Sequence, residues 1–404
     1  MRRIGSVFWL LVFMILGIAC RGFAFDDTWD TVEIHGFISQ GFLKSEGNNV
    51  IADSEEGTFQ FNEFGMNFST DLTDRLRAGL QFVSRDLGDL GNNTVNIDWA
   101  YADYRWKDWL GLRGGIIKLP WGLYNETRDL DMLRTSIFLP SSVYAEEERD
   151  SYSAIQGIDI YGNFSIWFLG NISYQLQYGD KSMDLDGGLV RRIEMEAGAP
   201  FEYFDVTNFA LSWLEWETPV NGLRLRQTSA RYEYAFGGTT CFAYEDGELG
   251  ILEFMEKGRQ VFAMFSVDYM RERLTLATEW FSVWENSDDV DTDGDNDEDA
   301  QQEGGYVGAS YRFGERLELG AYYSVYYEDG DDREGKDFEE VGLPKYLAWQ
   351  KDAALTVRFD LNEHWTIKAE GHWINGAARL FLFNPLDTIE EESFLLAVKT
   401  TFNF

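Results

Sequence analysis

Ten charged side chains crowd the stretch 119–153: Glu126, Arg128, Asp129, Asp131, Arg134, Glu146, Glu147, Glu148, Arg149 and Asp150. Seven acids stand against three bases, with no histidine or cysteine among them. Arranged around an opening, such residues can set which ions pass, because rings of charge decide ion preference. A second acidic stretch, 286–303, opens Asp289-x-Asp291-x-Asp293-Gly294 with Asp295 following, which imitates the start of a calcium loop of the EF-hand type. The match then fails, since position twelve is Ala300 rather than glutamate. Calcium at Asp289, Asp291, Asp293 and Asp295 is therefore a weak expectation. Its rival is a solvated, self-repelling loop, and stretch 328–345 repeats the acidic theme. Hydrolysis is disfavoured. The chain has three histidines, His35, His364 and His372, and no serine motif accompanies the His372–Glu370 spacing. No cofactor is implied.

The elements that would position these residues are strands. Apolar and polar residues alternate with period two over sixteen segments of the length a tilted strand needs to cross a bilayer. They span 32–43, 59–69, 75–85, 95–107, 110–118, 154–162, 170–179, 208–216, 222–235, 259–269, 273–285, 304–313, 317–327, 346–359, 364–375 and 394–404. In one, Trp365, Ile367, Ala369 and Trp373 oppose Thr366, Lys368, Glu370 and His372. In another, Phe265 and Val267 oppose Ser266. The alternation changes phase near Gln227, which predicts a bulge there. Connections alternate short and long, seven short and eight long. The expected fold is all-β: a transmembrane antiparallel up-and-down barrel of about sixteen strands, with short turns at one end and long loops at the other. The bilayer demands closure, because a backbone group left unpaired in lipid is too costly.

The N-terminal residues read as an address. Arg2 and Arg3 precede an apolar run from Phe8 to Ala19, too short to span a membrane, and Gly22-Phe23-Ala24 offers a small-x-small cleavage pattern. The expected division is a signal peptide at 1–24 and a barrel at 25–404. A lipoprotein cut before Cys20 is the rival, although Gly17-Ile18-Ala19 lacks the usual leucine upstream. Export without a disulfide framework follows, since Cys241 is then alone. Removing Arg2, Arg3 and Arg21 takes the net charge from -36 to -39, which argues against nucleic acid as a partner. A mean hydropathy of -0.31 suits a barrel, where only alternate residues meet lipid.

Three segments carry a family resemblance. Ala100-Tyr101-Ala102-Asp103-Tyr104, Gly111 to Leu123 (GLRGGIIKLPWGL) and Gly157-Ile158-Asp159-Ile160-Tyr161-Gly162 resemble the phosphate-selective porin O and P group and related sixteen-stranded bacterial porins. The final strand, ending Phe402-Asn403-Phe404, resembles the closing strand of outer-membrane barrels, in which the terminal aromatic is read by the assembly machinery. The resemblance implies a homotrimer in the bacterial outer membrane, bordered by lipid and lipopolysaccharide. Each protomer would hold a water-filled pore, narrowed by an infolded third loop at 119–153. Alternation places Arg77, Asp103, Arg105 and Arg113 on the pore wall, which is nearly balanced in charge. The acidic loop then predicts passive diffusion of ions and small polar solutes with mild cation preference. Phosphate is not carried over, because a phosphate pore needs clustered cations. Anion selectivity, and a sheath around a partner protein, are the alternatives. Trp121, Tyr124, Phe138 and Tyr144 are expected to pack the loop against the wall.

Overall fold

The computed structural model describes residues 32–243, 249–289 and 296–404. All sixteen expected strands form: β1 (Glu33–Glu46), β2 (Phe61–Thr73), β3 (Leu76–Leu87), β4 (Val95–Lys107), β5 (Leu110–Lys118), β6 (Ala154–Ile166), β7 (Gly170–Ser182), β8 (Tyr203–Glu217), β9 (Leu223–Ala243), β10 (Leu249–Arg271), β11 (Leu274–Asp289), β12 (Asn296–Phe313), β13 (Leu317–Tyr327), β14 (Trp349–Asp360), β15 (Trp365–Asn375) and β16 (Glu392–Asn403). Each pairs antiparallel with its sequence neighbours, and β1 pairs with β16, so the sheet closes into a barrel. The signal peptide expected at 1–24 lies outside the described residues.

Period-two alternation sorts the side chains as expected. On β15, Trp365, Ile367 and Trp373 face outward and are exposed, while Thr366, Lys368, Glu370 and His372 are buried in the lumen. On β10, Phe265 is exposed and Ser266 buried. At the seam, Gly36 and Phe404 exchange backbone hydrogen bonds of 3.0 Å in both directions. The Phe404 ring lies over Gly36, where any side chain would collide with it.

Two expectations need correction. Stretches 236–258 and 286–303 are not wholly loops: β9, β10, β11 and β12 run on through 236–243, 249–258, 286–289 and 296–303. No proline interrupts those stretches, and paired strands stay hydrogen-bonded in water as well as in lipid. Alternation with lipid marks only the part of a strand that meets lipid, so the polar extensions gave no such signal. The bulge expected near Gln227 is also absent, since β9 pairs with β10 without a break from Leu223 to Ala243. The shift lies in β8, between Thr207 and Ala210, with Asn208 at φ +53°. What changes at Gln227 is the lumen itself. Arg224 and Arg226 face polar space, whereas Ala230, Tyr232, Tyr234 and Phe236 on the same face enter an apolar core.

Candidate constriction site

The segment joining β5 to β6 turns into the barrel. Leu119, Trp121, Leu139 and Tyr144 are buried against lumen-facing Trp213, Phe262, Met264, Phe281 and Tyr306 of β8 to β12. Trp121 stacks between Phe262, at 3.4 Å between ring centres, and Tyr152, at 4.9 Å. Phe138 stacks on Phe61 of β2 at 5.2 Å in a second apolar cluster. Tyr124 packs edge-on against Tyr144 at 5.9 Å. The four aromatic residues therefore pack the loop, as expected.

Two wall carboxylates clamp the loop backbone. Glu370 of β15 accepts the amides of Ile137 at 2.7 Å and Phe138 at 2.9 Å, and the Thr356 hydroxyl at 2.5 Å. His372 touches it at 2.9 Å and bridges on to Asp352 at 3.0 Å. Glu279 of β11 accepts from the Leu123 amide at 2.9 Å and from the hydroxyls of Tyr144, Ser266 and Tyr306 at 2.6–2.9 Å. Wall cations take the loop carbonyls. Lys368 donates to Asp131, Arg134 and Ser136, and Arg358 donates to Met132 and Arg134.

The loop acids face this wall rather than open space. Asp131 lies 3.1 Å from Lys368, 3.6 Å from Lys399 and 3.5 Å from Arg134. Asp129 pairs with Lys118, and with Arg149 at 2.5 Å. Arg149 also reaches Glu63 at 2.5 Å, and Lys399 does the same. Glu146 sits between Arg128 at 2.9 Å and Arg85 at 3.3 Å. Arg128 also donates to the carbonyls of Tyr144 and Ala145. Arg134 donates to the carbonyls of Arg128 and Ile137. Glu147 and Glu148 meet Arg379 at 3.5 and 2.5 Å.

Burial alone would raise the loop carboxylates, because it penalises the charged form. For Glu146 the guanidinium groups of Arg128, Arg149 and Arg85 outweigh burial and hold it at about 2. Lys118 and Arg149 hold Asp129 well below the usual carboxylate range, and Lys368, Lys399 and Arg134 do so for Asp131. Glu147 goes the other way: burial dominates and neighbouring Glu148 adds to it. Glu148 is lowered by Arg379 and Arg192 despite burial.

Glu126 alone among the seven loop acids is exposed. It faces Arg113, which is held between Asp103 at 3.2 Å and Asp159 at 3.1 Å. The Tyr161 ring lies 4.2 Å from that guanidinium, and its hydroxyl bonds Asp103 at 2.5 Å. Asp103, Arg113 and Asp159 form an ion-pair cluster across β4, β5 and β6. Arg77 and Arg105, the other two residues that alternation assigns to the wall, take other partners. They sit exposed near the short turns, paired with Glu33 at 2.9 Å and Asp108 at 3.4 Å. Among the described residues, no group of three or more histidines, cysteines and acids could hold a metal. Asp291, Asp293 and Asp295 lie outside those residues, as does the Asp289 side chain.

Alternation missed Asp98 and Lys118. Register along β3 shifts between Gln81 and Phe82, which leaves Asp98 as an extra residue on β4. It turns inward to Lys118 at 2.8 Å and Gln81 at 2.9 Å. Lys118 ends β5, where counting from Arg113 assigns the opposite face. Nothing in the sequence marks that bulge.

The loop divides the lumen. On the short-turn side lies a cavity of about 380 Å³, lined by Arg224, Arg226, Arg312 and Arg358 with Asp268 and Glu318. On the long-loop side lies one of about 270 Å³, where Arg85, Lys118 and Lys181 face Asp98, Asp150 and Asp184.

No protein-family model matches the sequence, and neither does any curated protein. Solved structures do match. OmpTdeltaL8, a loop L8 deletion mutant of OmpT, an outer membrane protein of Vibrio cholerae, superposes with TM-score 0.57 at 9% identity, over 93% of this chain and 99% of that one. The outer membrane channel DcaP of Acinetobacter baumannii gives 0.56 at 11%, over 92% and 97%. An anion-selective porin from Comamonas acidovorans gives 0.55 at 12%, over 93% and 99%. Nothing in this likeness singles out the phosphate-selective O and P group. It is one of architecture: the chain shares its barrel fold with these outer-membrane proteins.

Proposed function

We propose that the chain is a bacterial outer-membrane porin, exported through the periplasm after loss of residues 1–24, that admits ions and small polar solutes by passive diffusion. The observation carrying this is a closed barrel, apolar outside and holding polar chambers within, whose lumen is narrowed by its own third loop. Chambers of a few hundred cubic ångströms suit small hydrated solutes. The reading needs no catalysis. A homotrimer is part of the proposal, and the matched OmpT of Vibrio cholerae is described in a trimer form. Recognition of Phe404 by the barrel assembly machinery belongs to it as well. So do contacts with lipopolysaccharide, and calcium at Asp289, Asp291, Asp293 and Asp295.

Mild cation preference is the selectivity we infer, on a narrower basis than loop charge. Buried acids matched by buried bases project little field into water. Exposed Glu126 adds a third carboxylate to Asp103 and Asp159 around Arg113, with the Lys118 ammonium 3.5 Å from the Glu126 carbonyl. One observation favours anions instead: six arginines line the lower chamber, against Asp268, Glu272 and Glu318. Single-channel recording in planar bilayers under a salt gradient tests both. A reversal potential of the cation-selective sign supports the first reading, and the opposite sign supports the second. Absence of conductance from folded, inserted protein rejects a porin and leaves the sheath.

A further inference from the structure

The short turns are unlike one another. Between β6 and β7, Trp167 is 100% exposed, Phe168 71% and Leu169 38%. The turn is held by a bond from the Leu169 amide to the Ile166 carbonyl at 2.8 Å, and the Trp216 indole donates to the Leu169 carbonyl at 2.6 Å. The corresponding turns on the far side of the barrel carry Glu272 and Arg273, Glu315 and Arg316, and Glu363 and His364. The β6–β7 turn is therefore an apolar tip on an arc whose neighbouring turns keep Asp108 and Glu217, and the far arc carries charged turns.

We propose that the β6–β7 turn is a membrane anchor, seated in the interfacial zone of the phospholipid leaflet on the short-turn side. Water is a poor solvent for a bare Trp-Phe-Leu tip, and tryptophan favours the headgroup level, where an amphipathic ring has both solvents. The tip continues the lipid-facing surface without a gap. Phe164 stacks on Tyr174 at 5.7 Å just above it, and Trp106 and Trp109 meet at 5.6 Å on the adjoining turn. Lys107 lies 5.1 and 5.9 Å from those two rings, a cation placed where anionic headgroups and tryptophan meet. Polar groups beside the tip turn away from it: Ser165 bonds Asn171 at 2.7 Å, which bonds Glu217 at 2.8 Å. On this arc the barrel is pinned into the leaflet, and on the other it is not.

The anchor rests on the outer-membrane reading, and the test separates the two. In a Cys241→Ser background, Phe168→Cys, Phe265→Cys and Arg273→Cys carry an environment-sensitive label. The folded proteins are reconstituted into phosphatidylethanolamine/phosphatidylglycerol vesicles with or without acyl-brominated lipid. Quenching at 168 should approach that at the belt position 265 and exceed that at 273 at least two-fold, with aqueous iodide giving the reverse order. Quenching at 265 but not at 168, with iodide reaching 168, overturns the anchor alone. So does a label at 168 shielded from both quenchers, which would mean contact with a second copy. No quenching even at 265 rejects membrane insertion itself. Should labelling at 168 impair folding, the Trp167→Phe difference spectrum replaces it: loss of a blue-shifted component supports the anchor, and loss of a water-exposed one rejects it.

Discussion

The loop at 119–153 is held by two arcs of the wall through different physics. Against β8 to β12 it is held mainly by area: Trp121, Leu139 and Tyr144 fill space among Trp213, Phe262, Met264 and Phe281, around the Glu279 clamp on the Leu123 amide and the Tyr144 hydroxyl. Against β14 to β16 and β2 it is held by address: Lys368, Glu370, Lys399 and Glu63 each meet named loop atoms. Apolar packing is non-directional and tolerates a shift, provided volume is kept. Buried charge does not tolerate one, because a carboxylate that loses its partner keeps its desolvation penalty. The apolar arc supplies adhesion and the ionic arc supplies register. A loop pinned in this way can set a fixed aperture.

The largest way to break this division is Lys368→Met. It removes the nearest of three cations from Asp131 and a donor from three carbonyls, and should cost about 3–5 kcal/mol, read as a lowered denaturation midpoint in detergent. Pairing it with Asp131→Leu should recover much of that loss, since a well-packed apolar pair can replace a buried ionic one. Failure of the double variant to recover would mean that the carbonyl contacts, not the ion pair, fix the loop. On the outside of the barrel, Phe265→Arg should cost about 2–4 kcal/mol near the bilayer midplane, without altering conductance noise from the loop. Within the apolar arc, Tyr144→Phe removes one donor to Glu279. It should cost about 1–3 kcal/mol and raise open-channel noise.

Acid offers a graded test. Glu146 moves from an ordinary value near 4.5 down to about 2 in the folded loop. A lowered acid contributes stability above its unfolded value and loses it as pH falls through the folded one. The Glu146 ion pairs should therefore hold at pH 5 and weaken between about 4.5 and 2, while Arg128→Met flattens that dependence. Heat-modifiable mobility measured across this range decides it. The smallest effect is Glu126→Gln. An exposed change should leave stability within about 0.5 kcal/mol, yet move the reversal potential toward anions. An unmoved potential would shift selectivity to the arginines of the lower chamber.

The barrel was legible because lipid imposes alternation on every strand that crosses it, and Trp365 to Trp373 show the rule undisturbed. The constriction was legible only in outline. Loop length and position placed it in the lumen, but sign counting treated Asp129, Asp131 and Glu146 to Glu148 as charges facing water. Their partners, Lys118, Lys368, Lys399 and Arg379, are scattered across the sequence. Ser266 makes the same point from the wall. Alternation puts it on the lumen side, where water would tolerate a charge, yet it is buried against Glu279. Lumen-facing and water-facing are different properties once a loop fills the lumen, and only tertiary contacts distinguish them.

The seam between β1 and β16 pairs Ile38 with Phe402, residues 364 positions apart, whereas every other neighbouring pair of strands is consecutive in the chain. Closing so long a span costs entropy that no local contact repays in advance. The fifteen hairpin pairings can therefore form as an open sheet, which still exposes the edges of β1 and β16 to any strand nearby. Only when Phe404 reaches Gly36 does that sheet lose its edges. Until then the chain is a template for aggregation, and its survival depends on how quickly its two most distant strands meet.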